Sequence, residues 1–192
     1  MTRIHIGKAY YAKKKMRWVS FETDPVLATT RREIYTRCVP CITNLYEQLR
    51  AGNAEVNLGM AFRCWKVVVV LPGDDQCVEL LGYFERDFLG ERSVKGRFGS
   101  GDETKSSRVV VFNAENAEDK DRLLEELRVC AQRINPDAPV TAHRGCIDLY
   151  HGLFGDSSNW HEVETIKNPD LVQPVLDHIR KVLYWEKKES NQ

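Results

Sequence analysis

Three rhythms of hydrophobic and polar positions run along the chain. CWKVVVVL (64–71) is a short run of β-branched residues, which reads as a strand buried on both faces. Pro72-Gly73 ends it, and Asp74 is placed to cap a helix carrying Val78, Leu81, Phe84 and Leu89 up to Gly90. SVKGRF (93–98) and SRVVVFNA (107–114) read as strands joined by the polar, glycine-containing GSGDETKS, most simply a hairpin loop. AEDKDRLLEELRVCAQRI (117–134) has acids in its first turn and Leu123, Leu124, Leu127, Cys130 and Ile134 as its stripe. It reads as a helix stopped by Asn135-Pro136, and PVTAHR (139–144) reads as a strand.

In order these segments are strand, helix, strand, strand, helix, strand. That succession predicts an α+β fold with a ferredoxin-like (βαββαβ) core over about residues 60–146: an antiparallel four-stranded sheet covered on one face by two helices. A doubly wound parallel sheet is disfavoured, because residues 93–114 look like a hairpin rather than a crossover.

Upstream, RIHIGKAYY and MRWVSF predict a hairpin over residues 3–21 with Ala12-Lys13-Lys14-Lys15 between its strands. From Asp24-Pro25, Leu27, Ile34, Cys38, Ile42, Leu45 and Leu49 form a helical stripe that Pro40 interrupts. The segment is either one kinked helix or two helices joined near Arg37–Cys41. Downstream of a mixed segment, Asn168-Pro169 opens a last helix with Leu171, Val175, Ile179 and Val182 on one face. The expected organisation is a basic hairpin and kinked helix (1–59) packed on a core with its C-terminal helix (60–192).

The composition allows one good core, with 42% hydrophobic and 29% charged residues. No apolar run approaches the roughly 20 residues of a bilayer span, and the first residues are charged where a secretory apolar core would lie. The expectation is a soluble, cytoplasmic protein with its six cysteines reduced and no membrane partner. The net charge of zero conceals an asymmetry: residues 1–50 hold ten Lys/Arg against four Asp/Glu. A basic segment of that kind either solvates one face or meets a polyanion.

The chemistry-bearing residues fall into two groups. GKAYYAKKKMRW interleaves basic residues with Tyr10, Tyr11 and Trp18, a combination suited to following a phosphate backbone. Lys8, Lys13, Lys14, Lys15 and Arg17 are its candidate anion contacts. Arg97, in GRFGSG (96–101), could join backbone N–H groups in an anion nest, although the motif lacks the Lys-Ser/Thr of a P-loop. The second group is Cys38-Val-Pro-Cys41 and His143-Arg-Gly-Cys146, two pairs of zinc-capable side chains with two-residue gaps. In CIDLYHGLF, Asp148 and His151 are three apart and share a helical face, where together with His143 and His161 they could hold a divalent ion. Zinc or another divalent metal is the cofactor this pattern admits. The competing reading makes the cysteines core residues and the segment a support for the sheet.

Two local resemblances bear on function. CVPC followed by ITNLYEQL resembles the Cys-x-Pro-Cys of thioredoxin-family proteins, which would imply a reactive thiolate at a helix N-terminus. TTRREIYTR reads as helix where that family has a strand. The core topology is also similar to that of the RNA-recognition motif, but KVVVVL and SRVVVFN lack its sheet aromatics.

Two functions stay open. The first is a non-enzymatic binding or assembly protein whose basic hairpin takes an anionic partner such as nucleic acid and whose sheet associates with a second copy of the chain. The second is a metal-dependent hydrolase centred on His143, Cys146, Asp148 and His151.

Overall fold

The computed structural model describes residues 3–13, 16–24, 39–100, 104–145 and 147–183. It is a mixed α+β structure with a six-stranded antiparallel sheet and, among the described residues, six α-helices. The chain divides into two compact units, Met1–Tyr35 with Cys64–Gly145, and Thr36–Arg63 with Cys146–Gln192.

The first unit contains strands β1 (His5–Lys13), β2 (Met16–Glu22), β4 (Trp65–Leu71), β5 (Lys95–Ser100), β6 (Arg108–Ala114) and β7 (Val140–Arg144), with helices α3 (Asp74–Asp87) and α4 (Ala117–Gln132). Their order across the sheet is β1-β2-β5-β6-β4-β7. The sheet therefore has six strands where four were expected. The physical reason is that β2 pairs with β5 in register from Arg17↔Ser100 to Glu22↔Lys95, covering an edge that would otherwise expose its backbone groups.

Both helices cover one face. Val67, Val69 and Leu71 of β4 and Val110, Phe112 and Ala114 of β6 pack with Leu80, Phe84, Leu123 and Leu127 in one buried cluster. Three aromatic rings anchor it, with centroids of Phe21 and Phe112 4.8 Å apart and of Phe84 and Phe112 4.9 Å apart. Gly96 lies in β5 between Phe21 and Phe112. A Cβ there would stand 2.4 Å from the Phe21 ring and 2.1 Å from the Val111 carbonyl, so only glycine lets the two rings meet across the strand. The GRFGSG glycine thus serves sheet packing inside β5.

Three local expectations need correction. β4 is not buried on both faces: Val67, Val69 and Leu71 are buried while Lys66, Val68 and Val70 are only half-buried, because the helices cover one side. On α3 the buried residues are Cys77, Leu80, Leu81 and Phe84, leaving Val78 exposed. Gly73 rather than Asp74 is the N-cap, and Asp74 instead binds Arg17 of β2 at 2.6 Å and Arg108 of β6 at 3.2 Å. That carboxylate ties the hairpin to the core strand and the helix start.

The second unit is built from α1 (Val39–Arg50), β3 (Glu55–Asn57), α2 (Met60–Arg63), α5 (Ile147–Phe154), β8 (Val163–Thr165) and α6 (Val172–Leu183). Pro40 lies in α1; residues 25–38 of the expected kinked helix lie outside the described residues. The antiparallel ribbon β3–β8 joins the two sequence segments of this unit. Leu45, Leu49, Val56, Leu58, Tyr150, Leu153, Phe154, Trp160 and Ile179 form its core. No helix among the described residues is long and apolar enough to cross a membrane.

Candidate functional site

The basic hairpin is a structural part of the sheet. β1 and β2 pair from His5↔Glu22 to Lys13↔Met16, with irregularities between Ile6 and Ala9 and between Tyr11 and Lys13. β1 is an outer strand, and bulges and lysines on such a strand hinder pairing with another chain. Lys8 is exposed on it and Lys13 closes it. Lys14 and Lys15 lie outside the described residues.

The other two predicted cations differ from one another. Arg17 is committed to Asp74, so its charge is neutralised within the fold. Arg97 lies with its guanidinium 4.3 Å from the centre of the Trp18 ring and, among the described residues, has no carboxylate partner. Stacking of this kind holds the cation while leaving its charge unpaired.

The sheet face away from α3 and α4 carries a group of polar residues of which only His143 is a candidate in the sequence. Partners across a ladder share a face, and Lys66 pairs with Asn113 on β6 and with His143 on β7. Since Val67 points to the helices, Lys66, Asn113 and His143 stand together on the opposite side. Lys66 and Asn113 are half-buried; His143 and its neighbour on this face, Thr141, are exposed. Toward β2 the same face closes, with Trp18, Ser20 and Glu22 buried. The alternation of Lys66 and Asn113 with buried neighbours was the signal available, and it was hidden because four valines in a row obscure a period of two.

The predicted metal residues are distributed as follows. His143 closes the first unit near its C-terminal end, whereas Asp148 and His151 lie on α5 of the second. The His143 Nδ1 is 3.0 Å from the Arg144 carbonyl oxygen. His151 is exposed. Cys41 is buried in the core of the second unit, where the Tyr150 hydroxyl donates to its carbonyl at 3.0 Å. Cys38 and Cys146 lie outside the described residues. Among the described residues no group of three or more His, Cys, Asp or Glu side chains is placed to hold a metal. His161 instead engages Glu164, a carboxylate only 6% exposed that accepts the His161 backbone N–H at 2.6 Å and lies 3.2 Å from its Nδ1.

Two cysteines are inert by burial. Desolvation disfavours the thiolate, pushing Cys77 up to about 12, with Asp74 adding to the effect, and Cys130 up to about 11.

No protein-family model, curated protein or solved structure matches the chain.

Proposed function

We propose that the chain is a binding or assembly protein whose sheet carries a basic hairpin to an anionic partner, with nucleic acid as the partner class. The observation that carries this reading is the mounting of the hairpin: β2 is bonded along its length to β5, and Asp74 fixes Arg17 to the helix start. Lys8, on a strand paired to β2, loses less entropy on binding than it would on a free tail. The excess of Lys/Arg in residues 1–50, with Lys8 exposed and Arg97 unpaired among the described residues, supports attraction to a polyanion.

Within the same reading the four strands β4 to β7 with α3 and α4 are a ferredoxin-like module. The placement of β4 between β6 and β7, with β5 beyond β6, supports it. A cytoplasmic location belongs to the reading as well.

The test is a binding titration of the full chain against labelled single-stranded and duplex oligonucleotides at low salt. Changing Lys13, Lys14 and Lys15 together to glutamate is expected to weaken binding by at least about ten-fold, since such contacts are electrostatic. Unchanged affinity in that variant would remove the hairpin from the account.

A further inference from the structure

We infer that Lys66, Asn113 and His143 form a second phosphate-contact row, on the open part of the sheet, for the phosphodiester backbone of a nucleic acid. This inference rests on the proposed binding function and adds a site the hairpin does not contain.

The register carries the argument. Lys66 sits directly between Asn113 and His143 on three adjacent strands. Neighbouring strands lie about 4.8 Å apart, so the row spans roughly 10 Å of surface. It offers an ammonium group and a side-chain amide as donors to phosphate oxygens, and an imidazole that, with its Nδ1–H given to the Arg144 carbonyl, donates from Nε2 when protonated. The contact between His143 Nδ1 and the Arg144 carbonyl holds the imidazole in place at the end of the row.

The charge of the row itself has no ion-pair partner among the described residues, although Lys95 elsewhere on this face is paired with Glu115. Among the described residues neither Lys66 nor His143 has a carboxylate within 4 Å, in contrast to Arg17, Arg92 and Arg108, which are each paired. A half-buried lysine in a β-strand, flanked by polar neighbours and lacking an internal counter-ion, is arranged to receive one from outside.

The same face determines what kind of recognition is available. Val68 and Val70 of β4 and Val109 of β6 are half-buried beside the row, and the aromatic residues of these two strands, Trp65 and Phe112, lie on the opposite, helix-covered side. Trp18, on the same face, is buried with Arg97 against its ring. Bases therefore find no stacking platform there, and the row contacts phosphate without reading sequence.

The experiment uses the full chain and two fluorescein-labelled probes, twelve-nucleotide oligo(dT) and oligo(dA), followed by anisotropy at about 50 mM salt. Lys66→Glu is expected to weaken binding to both by about five-fold or more and by the same factor. The magnitude of the salt slope should fall by roughly 0.7, the loss of one single-strand phosphate contact. In the unaltered protein, oligo(dT) should shift the amide resonances of Thr141, Ala142 and His143; this readout decides the matter if the Lys66 variant fails to fold. If hairpin charge reversal weakens binding while Lys66→Glu does not and those amides stay still, the row is wrong and the hairpin reading stands. If the unaltered chain binds neither probe, both are overturned.

Discussion

The two compact units treat their polar side chains in opposite ways. In the first, a sheet covered by helices on one face presents Lys66, Asn113, Thr141 and His143 on the other. In the second, polar groups are absorbed into internal bonds: Tyr150 serves the Cys41 carbonyl, Gln48 both accepts from the Asn57 N–H and donates to its carbonyl, and buried Glu164 holds His161. Of the residues with ligand-like spacing, Cys41 belongs to a core while His143 and His151 are exposed, so spacing alone does not say which side chains are neighbours. Cross-strand register is a better guide, because it fixes which side chains are neighbours on a face.

This contrast can be tested where each unit is most dependent on its own core. Phe112 lies within 5 Å, centroid to centroid, of both Phe21 and Phe84. Phe112→Ala is expected to destabilise the first unit by about 3–5 kcal/mol in denaturant unfolding, as truncations of buried aromatics do. A loss under about 1 kcal/mol would show that the three rings do not anchor it. A smaller effect belongs to the second unit. Tyr150→Phe removes one buried hydrogen bond, from the hydroxyl to the Cys41 carbonyl, and should cost about 1 kcal/mol with little change in packing. No measurable loss would mean that water or another donor replaces the hydroxyl.

The smallest effect near neutral pH concerns the buried thiols. Cys77 and Cys130 are held protonated in the folded chain, with values raised from 9.0 to about 12 and about 11. Above pH 9 the unfolded chain releases these protons and the folded chain keeps them, so stability is fully present below pH 9 and declines between about pH 9 and 12. Melting temperatures across that window should fall less steeply in a Cys77→Ala, Cys130→Ala double variant. Identical slopes would exclude the thiols as the cause. Alkylation of either thiol at pH 8 should also require unfolding.

Legibility in the sequence followed the range of the interactions. The valine-rich strands β4 and β6, the α4 stripe of Leu123 and Leu127 and the N-terminal hairpin were all readable, because periodicity and turn residues are local signals. The attachment of β2 to β5 was not, since nothing local says which strand a hairpin will pair with. The second unit was harder still. Its β3 and β8 are three residues each, and their pairing joins segments about a hundred residues apart. Of the candidate contacts, Lys8 and Arg97 were visible as charges in the sequence, whereas the capture of Arg17 by Asp74 depended on tertiary placement. Lys66 is hidden in the sequence because its run of valines reads as uniformly buried when only one face is covered.

The central claim is that the first unit engages a polyanion through a basic hairpin fixed to its sheet. The most direct measurement is the salt dependence of binding between the full chain and labelled oligo(dT), from about 50 to 200 mM. Three to five phosphate contacts predict that log affinity falls linearly with log salt at a slope of roughly −2 to −3.5. A flat dependence, or no binding at the low-salt end, would contradict the account.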